Sequence, residues 1–426
     1  MPSIPLSLRA YRLATLTLEP IVPLALRRRA RRGKEQLSRL GERLGIAARS
    51  RPEGELIWIH GASVGECLSA LPLIHTLLQT PGRSVLVTSG TVTSAELMAE
   101  RLPPHTFHQF APVDTPGAVA RFLTHWQPDV ALFVDSEIWP NMLTTAHERG
   151  IPLAIINGRM SAKSFAAWRY AQRTATAILS LYEVCLVQDD ETAQRLKALG
   201  APAVQVTGNL KADAPPLPVD ATALAGLQCT IGERPVLLAA STHPGEDEII
   251  LPAHDALRQR FPSLLTVIVP RHPARGPEIA MLCGTRAVAR RTQMPQPDDN
   301  VAIYIADTIG ELGLFYRAAP FAFIGGSLVP HGGQNPLEAA RLGTAVLAGP
   351  YTDNFRQPYD IIFARQGLGR IASSADIVTL AARFFGDSQG VRTIGEAARN
   401  AVQSLGGAVS HTSLAIESIL SSHARA

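Results

Sequence analysis

The sequence predicts an α/β protein built from two doubly wound, Rossmann-like domains that face each other across a cleft. Short apolar runs rich in β-branched residues alternate with segments of helical periodicity, which is typical of βαβ units with parallel sheets. Short turns containing Gly or Asp separate these runs. The length of 426 residues also favours two domains of roughly 200 residues each, because a single core seldom grows that large.

In the first half, most of the strand-like runs are followed by a helix-like segment. The predicted strands cover residues 56–59, 84–89, 130–135, 152–157, 184–188 and 204–208. The predicted helices cover residues 68–78, 93–101, 141–149, 164–179 and 191–199. Pro215, Pro216 and Pro218 then interrupt the alternation, so we place the first domain at 51–212 and a linker at 213–234.

The alternation resumes in the second half and defines a second domain at 235–426. The predicted strands cover residues 236–241, 264–270, 301–306, 321–326 and 345–349. The predicted helices cover residues 246–260, 310–318 and 336–342, with further helical periodicity from Ala375 onward.

The composition excludes several classes of protein. Four widely spaced cysteines without a C-x-x-C pair argue against a disulfide framework or a zinc site, and the histidines show no metal-ligand spacing. We therefore expect no metal and no cofactor. Residues 27–51 hold ten basic residues against two acidic ones, a net charge of +8. The net charge of +4 of the whole chain therefore comes from this segment. We expect no nucleic-acid partner, because such proteins usually spread basic residues over the folded surface.

Residues 1–50 are predicted to associate with a membrane. Residues 1–26 are apolar but carry five residues that a membrane-spanning helix avoids: Arg9, Arg12, Glu19, Pro20 and Pro23. A signal peptide is not expected either, because the positive charges do not precede the apolar run. The basic run RRRARRGK at 27–34 follows at once, which favours an anchor lying on an anionic leaflet. The alternative is an N-terminal helix packed on the protein with its arginines solvated.

Glu66 is the first candidate for a catalytic residue. It ends the stretch HGASVGE, which follows an apolar strand and opens a helix. In open α/β sheets, ligands bind at the carboxyl ends of the strands. The alternative is that Glu66 only complements the helix dipole, a role worth ~0.3–1 kcal/mol. The loop does not match a phosphate cradle, because its glycines read G-x-x-x-G.

Two other places in the first half carry candidate residues. Asp135, Ser136 and Glu137 follow a strand, and Glu137 is a candidate for steadying charge or orienting an acceptor. Two carboxylates are a weak metal signal, and Asp135 or Ser136 is also suited to capping the turn. Lys211 ends the motif GNLK at the domain junction, where a lysine is able to reach a phosphate or is simply solvated.

Candidates in the second half also follow predicted strands. Pro270-Arg271 carries a guanidinium suited to phosphate or carboxylate. Residues 308–312 begin a helix whose amides are able to meet an anion or a base edge. The loop Gly325-Gly326-Ser327 allows close backbone approach to a ligand. In the run Asn335-Pro336-Leu337-Glu338, Asn335 is predicted as N-cap and Glu338 either completes a capping box or accepts hydrogen bonds from ribose hydroxyls.

Taken together, these motifs resemble one family. HGASVGE, SEIWPN, NGRMS, GNLK, PRHP and GGSLV…NPLE occur in the order found in 3-deoxy-D-manno-octulosonic acid (Kdo) transferases. The resemblance implies a GT-B fold and an inverting glycosyltransferase that moves Kdo from CMP-Kdo to a lipid A precursor. It also implies a location at the cytoplasmic face of the bacterial inner membrane, with attachment through the N-terminus.

The resemblance further implies roles for individual residues. Glu66 would be the general base, while Glu137 and Lys211 would stabilise the transition state. The residues implied in holding CMP are Pro270, Arg271, Ile309, Gly310, Glu311, Asn335, Pro336, Leu337 and Glu338. The chain departs from the family pattern at Gly158, at Gln334, and at Pro330-His331.

Other functions remain open at this stage. A nucleotide-sugar 2-epimerase or another GT-B enzyme using a UDP-sugar has the same architecture, although a soluble substrate leaves the apolar and basic N-terminus without a use. A sugar-binding membrane module without turnover is disfavoured by Glu66 and Glu137. The expected chemistry needs no Mg²⁺, because Arg271, Lys211 and helix-end amides suffice for a departing phosphate monoester.

Overall fold

The computed structural model describes residues 5–135 and 138–423. The chain forms two compact units. The first unit contains the chain up to Ala214 together with the residues from Leu405 onward, and the second unit is Pro215–Ser404. The expected second domain therefore ends too late, because its last 22 residues belong to the first unit. The expected linker also differs, since most of it belongs to the second unit, where Ala221–Ile231 forms a helix.

The first unit is built on a seven-stranded parallel sheet. Its strands are β1 (Glu55–His60), β2 (Arg83–Ser89), β3 (Thr106–Phe110), β4 (Val130–Val134), β5 (Leu153–Gly158), β6 (Val184–Val187) and β7 (Val204–Val206). The spatial order is β3-β2-β1-β4-β5-β6-β7. Because the order reverses beside β1, the carboxyl ends of β1 and β4 lie at the topological switch point, where ligands bind in such sheets.

Helices cover both faces of this sheet. They are α1 (Leu6–Leu18), α2 (Val22–Ala30), α3 (Leu40–Arg43), α4 (Val64–Leu77), α5 (Val92–Arg101), α6 (Pro116–Trp126), α7 (Pro140–Glu148), α8 (Ala162–Tyr170), α9 (Gln172–Leu179) and α10 (Asp190–Ala198). One core cluster includes Trp58 and Phe122, and the cluster on the other face includes Ile59 and Ile74. The alternation of side chains along β1 explains this division, since Trp58 and Ile59 point to opposite faces.

The second unit holds a six-stranded parallel sheet. Its strands are β8 (Val236–Thr242), β9 (Leu265–Pro270), β10 (Val288–Arg290), β11 (Ile303–Ile305), β12 (Phe321–Ile324) and β13 (Ala345–Leu347), in the order β10-β11-β9-β8-β12-β13. Its helices are α11 (Ala221–Ile231), α12 (Asp247–Arg260), α13 (Gly276–Leu282), α14 (Leu312–Ala318), α15 (Leu337–Arg341), α16 (Arg356–Gln366), α17 (Ser374–Gly386) and α18 (Ser388–Gln403).

The last helix, α19 (Ala408–His423), returns to the first unit. It packs on α4, and its residues Ile416 and Ile419 join the core cluster that contains Ile59. The carboxylate of Asp213 accepts hydrogen bonds from the backbone N–H groups of Gly407 (2.8 Å) and Val409 (2.6 Å). Asp213 thus anchors the beginning of α19 to the segment that leaves β7.

The N-terminal helices have one packed side and one exposed apolar side. Leu8 and Leu26 are buried, and the hydroxyl of Tyr11 donates to Asp114 at 2.9 Å. Leu13 and Leu24 are 62% and 70% exposed. Among the described residues, no helix combines the length and apolarity needed to cross a bilayer.

Candidate functional site

Glu66 lies in the first turn of α4, directly beyond the carboxyl end of β1. Its carboxylate accepts hydrogen bonds from the Ala62 N–H at 2.7 Å and from the Ser63 hydroxyl at 2.6 Å. Ser63 is the N-cap residue, and its Oγ accepts from the Glu66 N–H at 3.3 Å. Glu66 therefore does support the helix start, as the alternative interpretation held. Each carboxylate oxygen keeps a further lone pair for another donor, since a carboxylate accepts about four hydrogen bonds.

Glycine suits position 61 of the turn that presents Glu66, because an added side chain would crowd the first turn of α4. A Cβ atom on Gly61 would lie 3.2 Å from the Glu66 Cβ and 3.3 Å from the Cys67 Sγ. The thiol of Cys67 also contacts the Gly61 carbonyl oxygen at 3.3 Å. This tight packing joins the strand end to the first turn of α4, so it holds the Glu66 carboxylate in one place.

The neighbouring strand ends have unusual backbone conformations. Asp135 follows β4 with φ of 59°, and Asn157 near the end of β5 has φ of 54°. The amide of Asn157 donates to the Asp135 carboxylate at 2.9 Å, and its carbonyl oxygen accepts from the Leu210 N–H at 3.0 Å. Left-handed conformations in residues other than glycine concentrate at functional sites. Through its two hydrogen bonds, Asn157 links the residue after β4 to the GNLK motif at the edge of the sheet.

Asp135, Glu66 and Lys211 interact electrostatically. Burial raises the pKa of Asp135, and the nearby Glu66 carboxylate acts in the same direction. The positive charge of Lys211, the Asn157 hydrogen bond and the Arg159 charge oppose that shift. The structure thus brings Lys211 into the same charged group as Asp135 and Glu66. From the sequence, Asp135 was expected only as a metal ligand or a turn cap and Asn157 was given no role, although Asp135 directly follows β4 and Asn157 lies near the end of β5.

The remaining residue predicted at this edge is Glu137. It lies outside the described residues, as does Ser136, so its predicted role stays a prediction. Trp139, which follows shortly after, is described and lies 6.1 Å from the His60 ring.

In the second unit, Pro270 and Arg271 lie at the carboxyl end of β9. Pro270 is buried, and the backbone N–H of Arg271 donates to the Thr242 carbonyl at 3.0 Å. The Arg271 side chain is exposed. Arg275 is by contrast buried and pairs with Asp247 at 2.6 Å. Of these two guanidinium groups, Arg271 is therefore the one available to an incoming anion.

The loop Gly325-Gly326-Ser327 is committed to internal contacts. Buried Glu246 accepts hydrogen bonds from the backbone N–H groups of Gly326 (2.7 Å), Ser327 (3.0 Å) and Leu328 (3.0 Å). A Cβ atom on Gly325 would lie 2.2 Å from the Ser241 carbonyl oxygen. The glycines therefore serve close packing of this loop, and the expected contact between its amides and a ligand is not available at 326 or 327.

The Ser327 side chain is equally occupied. Its hydroxyl donates to the Ile324 carbonyl oxygen and accepts from the Gly349 N–H at 2.9 Å. Burial raises the pKa of Glu246, and its backbone donors oppose that rise. The role of Glu246 is not apparent from the sequence, because its partners lie about 80 residues further along the chain.

Residues Ile309, Gly310 and Glu311 precede α14. Ile309 is 86% exposed, and Gly310 has φ of 85°. The Glu311 carboxylate pairs with Arg291, whose hydrogen bond holds the pKa of Glu311 below its usual range. Ile309 and Gly310 are therefore open to a ligand, while the Glu311 side chain is engaged.

The run Asn335–Glu338 begins α15 one residue later than predicted. Pro336 is the N-cap residue, and Asn335 precedes it. The Asn335 side-chain oxygen accepts from the Leu337 N–H at 3.1 Å, and its amide donates to Glu338 at 3.2 Å. Pro336 and Leu337 are buried, so their side chains belong to the core. Asn335 and Glu338 remain partly exposed candidates for ligand contact.

Three histidines lie at the same sheet edge, and the sequence analysis did not select them. The ring centroid of His243, which follows β8, lies 4.0 Å from that of His331 and 6.4 Å from that of His272. Little in the sequence indicates that these histidines lie together, because each follows a different strand and none has the spacing of metal ligands.

Comparisons with known proteins agree with this architecture. A family model described as 3-deoxy-D-manno-octulosonic-acid transferase matches residues 38–214. A probable mitochondrial 3-deoxy-D-manno-octulosonic acid transferase from Arabidopsis thaliana is 37% identical, over 82% of this chain and 80% of that protein. The 3-deoxy-D-manno-octulosonic acid transferase of Bordetella pertussis is 34% identical, over 96% of this chain and 98% of that protein.

A solved structure shows the same fold at low sequence identity. The UDP-GlcNAc 2-epimerase from Neisseria meningitidis, bound to UDP-GlcNAc, aligns with a TM-score of 0.56 and 15% identity, covering 86% of this chain and 99% of that one. This likeness concerns the fold alone. Together with the two parallel sheets, it confirms the predicted GT-B class of two Rossmann-like domains.

Proposed function

The chain belongs to the 3-deoxy-D-manno-octulosonic acid transferase family, and we propose that it moves Kdo from CMP-Kdo to a hydroxyl group of a lipid A precursor. It is a glycosyltransferase by this membership. The observation that carries the proposal is the Glu66 carboxylate, which is oriented by two donors at the switch point of the first sheet. The first unit binds the acceptor, and the second binds the nucleotide.

The proposed mechanism is direct displacement with inversion. Glu66 takes the proton of the acceptor hydroxyl as its oxygen attacks the anomeric carbon on the face opposite CMP. Because Ala62 and Ser63 hold the carboxylate, little reorganisation is needed when the proton moves. General-base assistance of this kind is typically worth ~10²–10⁴-fold in rate.

Charge at the sheet edge supports the transition state in this proposal. In this proposal Lys211, whose positive charge acts on Asp135, stabilises the negative charge that develops on the departing phosphate, in agreement with the role that the family resemblance implies. Glu137 keeps its implied role as a prediction from the sequence. Asn157 positions both Asp135 and the segment that carries Lys211, since its side chain hydrogen-bonds the Asp135 carboxylate and the Leu210 backbone N–H.

In the second unit, CMP is proposed to bind beside the ends of β9 and β12. The exposed Arg271 guanidinium meets the phosphate, for which its forked donors are suited. Ile309 provides an exposed apolar surface for the base, and Glu338 accepts hydrogen bonds from ribose hydroxyls. The side chains of Ser327 and Leu337 have no part in this proposal, because both are used internally.

The N-terminal helices are proposed to contact the cytoplasmic face of the inner membrane, where the lipid acceptor resides. Leu13, Leu16 and Leu24 are exposed apolar side chains, and the basic run at 27–34 adjoins them. A cavity of about 340 Å³ between α1 and α7 is lined by leucines together with Arg9 and Arg12. Apolar and cationic groups side by side favour an anionic amphiphile.

The direct test of the reaction uses purified full-length protein in detergent with CMP-Kdo and tetraacylated lipid A precursor. We expect CMP release and a product whose mass exceeds that of the acceptor by one or more Kdo units. The matched control replaces CMP-Kdo with UDP-N-acetylglucosamine. Turnover of the UDP-sugar without any Kdo product would overturn the proposal in favour of the epimerase or another UDP-sugar enzyme.

Membrane contact has its own test. The triple variant Leu13→Ser/Leu16→Ser/Leu24→Ser removes exposed apolar surface and leaves the buried Leu8 and Leu26 in place. We expect weaker co-sedimentation with anionic vesicles, whereas Met281→Ser, at a 76% exposed site of the second unit, should bind like wild type. High salt should weaken but not abolish wild-type binding, because only the charges are screened. Equal sedimentation of triple variant and wild type would leave the N-terminus as ordinary packing.

A further inference from the structure

His243 lies at a strained and crowded point of the second unit. Ser241, two residues before it, has φ of 59°, and the His243 ring is only 5% exposed. Its backbone N–H donates to Glu246 at 2.9 Å. A Cβ atom on Gly326 would lie 3.3 Å from the His243 Cδ2, so the ring packs directly on the glycine loop after β12.

The side chains around this ring are mostly cationic or neutral. His331 packs on it in a tilted arrangement with ring centroids 4.0 Å apart, and His272 lies edge-on at 6.4 Å. Arg271 and Arg275 add positive charge from the segment after β9. Arg275 is paired with Asp247, and the Glu246 carboxylate is spent on four backbone N–H groups. In the part of the chain that the structure describes, the His243 ring thus has no carboxylate as a hydrogen-bond partner, and its ring partner is the Gln334 amide.

The ring is neutral in the free protein. Burial, followed by the charges of His331, His272, Arg271 and Arg275, lowers the pKa of His243 to about 4. The Gln334 amide nitrogen lies 3.0 Å from the His243 Nε2. With the amide donating, Nε2 acts as the acceptor, and the neutral ring carries its proton on Nδ1. The hydroxyl of Tyr359 donates to the backbone carbonyl oxygen of Gln334 at 2.7 Å, which fixes the backbone of that residue and leaves its side-chain amide able to turn.

We propose that His243 is a proton-accepting positioning residue of the nucleotide site, which takes up one proton from solvent when a phosphate monoester binds among Arg271, His272 and His331. The inference rests on the proposed function, because it takes the second unit to be the CMP-binding one. An anion within this cluster supplies the negative charge that the free protein lacks, so it favours the protonated ring.

The proton also changes the partner of His243. A protonated ring donates from both nitrogens, so the Gln334 amide must turn to present its oxygen to Nε2. Gln334 directly precedes Asn335, which leads into α15. Protonation therefore links phosphate binding to the residue run proposed to hold the ribose. No bond to carbon or phosphorus is made or broken in this step.

The test is calorimetry of CMP binding to the full-length protein at pH 7 in two buffers of different ionisation enthalpy. The difference between the buffers gives the protons taken up per CMP bound. We expect wild type to take up at least about half a proton more than His243→Asn. The phosphate of CMP has its own protonation change, but this cancels in the comparison between variants. Cytidine, which lacks the phosphate, should show no such difference.

Matched variants assign the proton. His254→Asn removes another buried, neutral histidine of the same unit, and it should leave the proton uptake unchanged. Gln334→Leu keeps the His243 ring but removes the amide that accepts from the protonated ring. The number of protons taken up per CMP bound should therefore fall. If CMP binds and the uptake of His243→Asn equals that of wild type, the inference is overturned. If CMP does not bind to wild type at all, the proposed function fails instead, so the two failures are distinguishable.

Discussion

Glu66 and Glu246 occupy similar places in the two units but have different surroundings. Each follows the first strand of its sheet after a turn that ends in glycine, and each lies at the start of a helix. Glu66 is partly exposed and accepts from one backbone N–H and one hydroxyl. Glu246 is fully buried and accepts from four backbone N–H groups, three of them in the loop after β12.

The difference shows how the same residue at the same topological point serves two purposes. Four donors saturate a carboxylate, so Glu246 closes its loop and has nothing left for a ligand. Two donors orient a carboxylate and leave it open, so Glu66 remains able to accept a further proton donor. The number of backbone donors, and not the position after the strand, separates the catalytic candidate from the structural one.

The largest effect that would sharpen this comparison is on the rate. Glu66→Gln keeps the size of the side chain, and its amide is able to keep both the Ala62 and Ser63 contacts. We expect it to fold normally, to bind CMP, and to lose at least ~10²-fold in kcat, because an amide is no base. Steady-state kinetics and circular dichroism measure this. Near-wild-type turnover would break the comparison by removing the catalytic role of Glu66.

The next effect is on stability. Glu246→Gln replaces one carboxylate oxygen by an NH₂ group that faces two backbone N–H donors. We expect the free energy of unfolding to fall by about 2–6 kcal/mol, at ~1–3 kcal/mol for each buried donor left unpaired. Denaturant unfolding checks this, with Glu248→Gln at the neighbouring position as the control. A variant as stable as wild type would show that the loop does not depend on this carboxylate.

The two arginines after β9 extend the comparison. Arg271→Ala removes an exposed guanidinium, so we expect CMP binding to weaken by roughly tenfold, the equivalent of ~1.4 kcal/mol, with stability unchanged. Arg275→Ala instead leaves Asp247 buried without its ion pair and should destabilise the unit. Titration calorimetry and thermal unfolding of both variants distinguish the roles. Equal behaviour of the two variants would contradict the assignment.

The last effect concerns the dependence of stability on pH. Burial lowers the pKa of His60 to about 3 and that of His243 to about 4, from 6.5 in the unfolded chain. Between about pH 6.5 and 4 the unfolded chain thus binds protons that the native state does not. The free energy of unfolding should therefore fall as the pH is lowered through this window, by up to ~1.4 kcal/mol per pH unit for each histidine.

Comparison with His60→Asn isolates this contribution. Buried carboxyls such as Asp114 and Glu246, whose pKa values are raised, act with the opposite sign, and they are common to both proteins. Urea unfolding at pH 7.0 and 5.0 should show a smaller loss of stability for the variant. The same loss in both would mean that His60 is protonated in the folded state.

The sequence predicted the elements with strong apolar patterns and missed those without them. The strands around Ile59, Ile156 and Ile268 were predicted correctly because their apolar runs are continuous. β3 was missed because His108 and Gln109 interrupt its apolar pattern. Their partners are distant in sequence: His108 contacts Arg39 and Ser89, and the Gln109 side-chain oxygen accepts from the Trp126 ring N–H. α16 was missed for a similar reason, since polar residues such as Asp360 occur along it.

The parts of the site that could be predicted are those that depend on neighbouring residues in the sequence. Arg271 was selected because it directly follows an apolar strand, and Glu66 because it opens the helix after one. Both are accessible in the structure. Ser327 was selected for the same reason, but a carboxylate some 80 residues earlier binds its amide. The sequence does not display such long-range partners, so it overestimates which loop amides are open to a ligand.

The return of α19 to the first unit has a consequence for how the chain folds during synthesis. The helix that carries Glu66 buries its apolar side partly against α19, which is made only after the whole second unit. The ribosome adds the intervening residues 215–407 at ~5–20 residues per second, so the first unit waits roughly 10–40 s for its final helix. During that interval the α4 surface around Ile74 is uncovered. A nascent chain of this protein therefore offers chaperones an apolar target until its final helix has been made.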